Sequence, residues 1–363
     1  MINLSNNSIA SLPDELFSPL NSTTGGEEPL VLNLEGNLLT SLPVLSLPRL
    51  TELNLARNRL AHLHVHTLKH TTALRRIDLS RNDIVTIEPS IIYHELPIRA
   101  FIKEGDALFH GNLKNISEID LSHNRLRHFP SVLYVRPSLK SLILKGNQIS
   151  DFVITPLSYK YGYYLEFDSL EVLDLSNNTL GQALTNRIDE MHRKVYKYGL
   201  MPRLKQLDLS ENGITLSQCS TDQSLSWLPP DCDMFLESMK ALEVLAMAHN
   251  DITVVPEYFS HLVNLRRADF RYNKIKEVAY DNLFFTNGVS LGHLIYHEND
   301  YLRKGDYFEL PNSHNLTVDL RYNDISAIHL PDKKNSPQIY FYHASFVSCF
   351  DTMGVVLSDA GGY

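Results

Sequence analysis

The sequence predicts an α/β solenoid, a stack of similar units that each add one short strand to a shared parallel sheet of about 12 strands. Three observations carry this expectation. Twelve asparagines share one frame: Asn7, Asn37, Asn58, Asn82, Asn124, Asn147, Asn178, Asn212, Asn250, Asn273, Asn299 and Asn323. Apolar residues recur eight, five and three positions before them and two after. Of the 47 positions this frame defines, 45 are apolar, the exceptions being Pro29 and Asn315. At 43% hydrophobic content, chance would fill about 20 of them. The intervals between the asparagines are 30, 21, 24, 42, 23, 31, 34, 38, 23, 26 and 24 residues, so a unit of 21–26 residues recurs, lengthened in places by insertions.

One unit shows why. In LEVLDLSNNTL, residues 170–180, Leu173 and Leu175 fall on one face of a short strand, and Val172, Asp174 and Ser176 on the other. Such a strand is too short to be stable alone, so neighbouring copies must lie beside it and prolong the core. The chain then turns and leaves backbone groups that an asparagine amide, both donor and acceptor, can satisfy. The asparagine ladder is therefore read as structural.

The pattern L-x-x-L-x-L-x-x-N-x-L resembles the leucine-rich-repeat family, in its typical class of about 24 residues, over residues 1–328. The resemblance implies a curved horseshoe with the sheet on its concave side, like the ectodomain of a Toll-type or related receptor. Twelve strands would run roughly 55 Å along the arc.

The return arms follow. VVPEYFSHLVNL, 254–265, places Phe259, Leu262 and Leu265 three apart, and SLPDELFSPL, 11–20, does the same with Phe17 and Leu20. These spacings predict short helical or 3₁₀ segments packed beneath the strands. Insertions are expected near 83–115, 181–203 and 215–240. The second carries Leu184, Ile188, Met191 and Val195 at helical spacing and reads as an amphipathic helix ending near Gly199 and Pro202. The third holds Cys219 and Cys232, either bridged across the loop or free. YKYG occurs at 159–162 and 196–199; with Tyr163 and Tyr164 the first copy forms an aromatic patch that covers an edge or meets a ligand. Residues 329–363 leave the frame and are expected to form an irregular tail or cap.

Composition excludes several classes. A net charge of −9 weighs against a global pull toward nucleic acid or anionic membrane. No apolar run approaches the roughly 20 residues of a membrane span. Three cysteines, Cys219, Cys232 and Cys349, are too few for a disulfide scaffold. The start, MINLSNNSIASLP, lacks the form of a secretory signal and opens inside a patterned segment, which suggests a fragment.

Signatures of catalysis are sparse. G-x-S-x-G, the P-loop, the dinucleotide fingerprint and H-E-x-x-H are missing, so no catalytic residue, metal or cofactor is assigned and an enzyme is not expected. His62, His64 and His66 alternate in AHLHVHTLKH, which a solvated turn explains better than a metal site. Cys349-Phe350-Asp351 makes the C-x-D found in bacterial leucine-rich-repeat ubiquitin ligases, but the large catalytic domain of those enzymes has no counterpart in this sequence.

Binding is read from the strand face. Its central outward position carries Asp78, Asp120, Asp174, Asp208, Asp269 and Asp319, expected as a solvated face because D-L-S and D-L-R are common in the family's consensus. Flanking positions carry Glu52 and Glu118 early, then Arg267, Arg271, His293, His297 and Arg321 on the last strands. Stacking would gather these basic residues beside Asp269 and Asp319 into one partly pH-sensitive patch suited to an acidic partner surface.

The expected function is a non-catalytic, receptor-like module that recognises a protein ligand or co-receptor on the concave face. The expected place is extracellular or at the cell surface, as part of a longer receptor. Six N-x-[ST] sequons, at Asn3, Asn6, Asn21, Asn115, Asn177 and Asn315, fit that setting, with Asn115 and Asn315 the expected glycan carriers. The alternative is a cytoplasmic scaffold, favoured by SLP at 11–13 and 41–43 and by VVP at 254–256.

Overall fold

The computed structural model describes residues 1–13, 16–17, 28–64, 66–87, 108–109, 112–130, 137–150, 167–181, 201–215, 236, 239–255, 262, 264–279, 317–329 and 345–346. Cys219, Cys232, Cys349, His293, His297, Asn299 and Asn315 lie outside the described residues. So do residues 182–200 of the predicted 181–203 helix, both YKYG segments and most of the 254–265 return arm.

The chain divides into two compact units, Met1–Ala183 with Ile188–Leu204, and Leu184–Arg187 with Lys205–Tyr363. The first holds β1 (Ile2–Asn3), β2 (Leu30–Asn33), β3 (Leu50–Asn54), β4 (Arg76–Asp78), β5 (Glu118–Asp120), β6 (Ser141–Ile143) and β7 (Val172–Asp174). Each pairs in parallel with the next, and their middle residues align as Leu32, Leu53, Ile77, Ile119, Leu142 and Leu173. That column is at most 1% exposed. Its neighbours along each strand stay open to solvent, as a period of two requires.

The second unit holds β8 (Gln206–Asp208), β9 (Val244–Ala246), β10 (Arg267–Asp269), β11 (Glu277–Ala279), β12 (Thr317–Asp319), β13 (Ala327–His329) and β14 (Ser345–Phe346). Strands β8, β9, β10, β12 and β14 form a parallel sheet in that order. β11 and β13 form a second, two-stranded parallel pair. Both units therefore follow the solenoid rule that a strand too short to be stable alone is prolonged by the next rung. This is the leucine-rich-repeat solenoid expected from the frame.

Two features depart from the frame. Residues 345–346 lie where the repeat pattern has ended, yet they pair with β12, because an exposed strand edge accepts any extended backbone. Asn299 was expected to mark a rung between Asn273 and Asn323. Instead β10 pairs directly with β12, and the Asn323 amide donates to the Phe270 carbonyl at 2.9 Å. The two predicted return arms lie in large part outside the described residues; where described they turn through i→i+3 bonds, Leu16 N–H to the Pro13 carbonyl at 3.1 Å and Leu265 N–H to the Leu262 carbonyl at 2.9 Å, and Phe17, Leu262 and Leu265 are buried.

The core is built from the frame positions themselves. Leu170, Leu173, Leu175 and Leu180 are each at most 1% exposed, and the same four positions are buried around Asn212 and Asn250. Each such leucine contributes about 1.5–3 kcal/mol by leaving water. Phe109 and Phe167, both fully buried, fill the first unit where leucines alone would leave space.

Candidate recognition surface

The asparagines bind rungs together. Asn124 donates through Nδ2 to the Leu121 carbonyl of its own turn at 2.9 Å and to the Leu79 carbonyl of the preceding rung at 3.0 Å. Its Oδ1 accepts the Ile84 amide at 3.0 Å. Asn58, Asn82, Asn147 and Asn178 repeat this arrangement in the first unit, and Asn250, Asn273 and Asn323 in the second. Asn212 caps its own turn through the Leu209 carbonyl. Asn7 bonds only the Leu4 and Ser5 carbonyls, in an exposed turn.

The column of aspartates does something other than line a solvated face. Asp78, Asp120, Asp174, Asp208 and Asp269 each accept, through Oδ1, the backbone N–H two residues on, at 2.8–3.1 Å. Asn3, Asn33 and Asn54 make the same bond at 3.0 Å. The position is thus an acceptor that closes the turn at each strand exit, a role carboxylate and amide fill equally.

In the second unit, Arg267 is exposed on the open face, in register with Gln206, Val244 and Thr317. Asp269 aligns with Asp208, Ala246 and Asp319. Arg271 folds back on its own strand. Its Nε donates to Asp269 Oδ1 at 2.9 Å and its Nη2 to Oδ2 at 2.6 Å. The charge of Arg271 is therefore held by a forked pair rather than extended. Arg321 sits one rung further on. In the first unit the matching column runs Glu52, Arg76, Glu118, with Arg76 and Glu118 paired at 3.5 Å.

A second column was not singled out from the sequence. The residue before each described ladder asparagine lies in the left-handed region: Asn6, Gly36, Arg57, Arg81, His123, Gly146 and Asn177 in the first unit, and Glu211, His249, Tyr272 and Tyr322 in the second, at φ of +53° to +68°. This conformation turns its N–H toward the next rung. Arg57 donates to the Ser80 carbonyl at 2.9 Å, His249 to Arg271 at 2.8 Å, and Tyr272 to Arg321 at 3.2 Å. The side chains then project outward one rung apart. His249 and Tyr272 stack with centroids 4.2 Å apart, and Tyr272 and Tyr322 stack at 4.2 Å with planes 5° from parallel. Partial burial raises the Tyr272 phenol above the ordinary tyrosine value; its hydrogen bond with Tyr322 and the charge of Tyr322 act the same way, while Arg271 and Arg321 oppose them. A signal did exist in the sequence: R-Y-N occurs at both 271–273 and 321–323.

His62, His64 and His66 are exposed, and His64 Nδ1 accepts the His66 amide at 3.3 Å, as in an ordinary turn. Among the described residues no group of three or more His, Cys, Asp or Glu side chains is placed to hold a metal. No helix among them is long and apolar enough to cross a membrane. Asn115 is exposed, and its Nδ2 donates to the Thr72 carbonyl at 3.2 Å.

Comparisons with known proteins agree with this architecture. A family profile described as Leucine rich repeat matches residues 48–94, and a second, Leucine Rich Repeat, matches residues 169–191. Leucine-rich repeat serine/threonine-protein kinase 1 of Caenorhabditis elegans is 36% identical over 104 residues, 29% of this chain and 4% of the kinase. Osteomodulin of Mus musculus is 25% identical over 266 residues, 71% of this chain and 53% of that protein. The chain thus spans about half the length of the osteomodulin it matches and a small part of the kinase. Among solved structures, the leucine-rich repeat domain of APL1B shares the fold, with a TM-score of 0.52 at 17% identity, over 90% of this chain and 71% of that one.

Proposed function

The chain belongs to the leucine-rich-repeat family, and from that premise we propose that it is a receptor-like recognition module that holds a protein ligand on its open strand face without chemical conversion. The observation that carries this reading is the rigid mounting of that face. From β2 to β10 the outward strand residues flank a buried apolar residue, and ladder asparagines such as Asn124 tie one turn to the preceding rung, so the surface is formed before a partner arrives. Binding then spends little on ordering the protein side.

In the second unit, Arg267, the Asp269–Arg271 pair, Asp319 and Arg321 form the proposed contact patch, with His293 and His297 assigned to it from the sequence. Its charge suits an acidic partner surface, which would also speed encounter. The likeness to osteomodulin supports a setting outside the cell or at its surface, within a longer protein. Asn115 and Asn315 would then carry glycans, and Cys219 and Cys232 would be bridged.

The experiment has two parts. Purified protein is screened by surface plasmon resonance against purified secreted and cell-surface ectodomains, and a binder is re-measured with R267E/R271E. Loss of affinity of about tenfold or more is expected; unchanged affinity removes the patch. Mass spectrometry of native protein should show glycan on Asn115 and a Cys219–Cys232 bridge. Unmodified asparagines and three free thiols would instead favour the cytoplasmic scaffold.

A further inference from the structure

We propose that His249, Tyr272 and Tyr322, with Arg271 and Arg321 beside them, form an anchoring strip for an extended acidic segment of a protein partner. The inference rests on the reading of the chain as a protein-binding module, and adds a surface that lies at the turns rather than on the strands.

Geometry comes first. Tyr272 and Tyr322 are 42% and 58% exposed, two of the few large apolar side chains left in water among the described residues. They are not loose. Each sits at a left-handed backbone position, and the Tyr272 amide is bonded to the Arg321 carbonyl of the next rung. Ring spacing of 4.2 Å on both sides of Tyr272 makes a three-ring stack along the solenoid axis. A tyrosine held this way brings large contact area and loses little entropy when it binds, which is why Tyr and Arg dominate energetic centres of interfaces.

Charge selects the occupant. Both faces of the Tyr272 ring are covered by its stacking neighbours, so it offers its electropositive edge and its hydroxyl. Residues 264–276 carry five basic side chains, Arg266, Arg267, Arg271, Lys274 and Lys276, against one acidic, Asp269, in a chain of net charge −9. The acidic groups nearby are accounted for in part: Asp269 pairs with Arg271, and Asp251 with Lys274 at 2.7 Å. Glu211 precedes His249 in the same column, so the strip turns acidic at that end and the preference is local. A sugar ring, which seeks an open aromatic face, finds only the outer face of Tyr322. An acidic peptide lying along the strip finds ring edges and the two tyrosine hydroxyls, with Arg271 and Arg321 near enough to act on the Tyr272 phenol.

The test exploits the column itself. Asn6 and Asn177 occupy the same left-handed position at φ of 54° and 53°, so Tyr272→Asn and Tyr322→Asn introduce a residue the fold already accommodates there. The probe is a fluorescein-labelled oligoglutamate peptide read by fluorescence anisotropy at low salt, with an oligolysine peptide and a sulfated oligosaccharide as comparisons. Binding of oligoglutamate in preference to both, reduced about tenfold or more in Y272N/Y322N at unchanged melting temperature, is the expected result. Equal affinity in wild type and Y272N/Y322N overturns the strip. Binding of the sulfated oligosaccharide without the peptide overturns the occupant. A wild-type protein that binds a protein ectodomain through Arg267 and Arg271, but not oligoglutamate, leaves the recognition module standing and removes this proposal alone.

Discussion

A single amide in this fold closes three backbone groups belonging to two rungs. Replacing Asn124 by alanine orphans the buried Ile84 amide and leaves the Leu79 and Leu121 carbonyls with one asparagine donor each, Asn82 and Asn147. The expected loss is about 2–3 kcal/mol, since an orphaned buried group costs about 1–3 kcal/mol and two further hydrogen bonds are lost. The urea midpoint should fall with an unchanged slope. Asn7→Ala should cost under about 1 kcal/mol, because its partners are already in water; equal losses at the two sites would undo the structural reading of the ladder. Glycine at 146 is also specific. A Cβ there would lie 2.6 Å from His123 Nδ1, at φ +67°. Gly146→Ala is expected to cost about 1–2 kcal/mol through backbone strain and displacement of the imidazole. Made in a His123→Ala background, it should cost measurably less.

Elements are closed by an acceptor, not by a charge. Asp78 caps the exit of β4 through Ser80 N–H at 2.9 Å, where β3 uses Asn54 at 3.0 Å. Asp78→Asn should therefore be nearly neutral, and Asp78→Ala should cost about 1 kcal/mol, both read by thermal denaturation. Loss with asparagine equal to that with alanine would restore a role for the carboxylate charge. The aromatic stack makes a pH prediction of definite sign. Tyr272 has its phenol raised, so the folded protein holds that proton more tightly than the unfolded chain. The contribution is complete below the ordinary tyrosine value of about 10 and is lost as pH climbs through the raised one. Phenolate absorbance should show a late-titrating tyrosine, shifted back toward the ordinary value by Tyr322→Phe. A titration indistinguishable before and after that change would exclude the coupling.

The whole molecule is two stacks whose rungs lean mainly on their neighbours. Stability of this kind propagates along the chain rather than across it. Leu142→Ala, at a fully buried position of β6, should cost about 3 kcal/mol. Hydrogen exchange should then quicken in β5, β6 and β7 ahead of β2 and β3. Uniform acceleration through the first unit would mean a single cooperative core instead. At this scale charge also has a direction: the chain is acidic as a whole, yet residues 264–276 carry five basic side chains against one acidic, two of the five held in ion pairs. A partner that reads this contrast needs no global attraction, only a local one within the screening distance of about 10 Å.

The amino-acid order alone determined the repeat, its buried columns, the ladder asparagines and the residues of the open face. It could do so because a strand's period of two and a turn's need for an amide are local matters, visible within the eleven residues of LEVLDLSNNTL. Local reasoning took Asp78, Asp120 and Asp174 for a solvated row, since a carboxylate's bond to its own turn leaves no mark in composition. It also placed a rung at Asn299, because a frame match says nothing about which strand β10 pairs with. The tertiary structure decided those points, and it alone brought Tyr272 and Tyr322, fifty residues apart in the sequence, to a ring spacing of 4.2 Å. Such contacts exist only after neighbouring rungs have exchanged their backbone hydrogen bonds, as Tyr272 N–H and Arg321 C=O do.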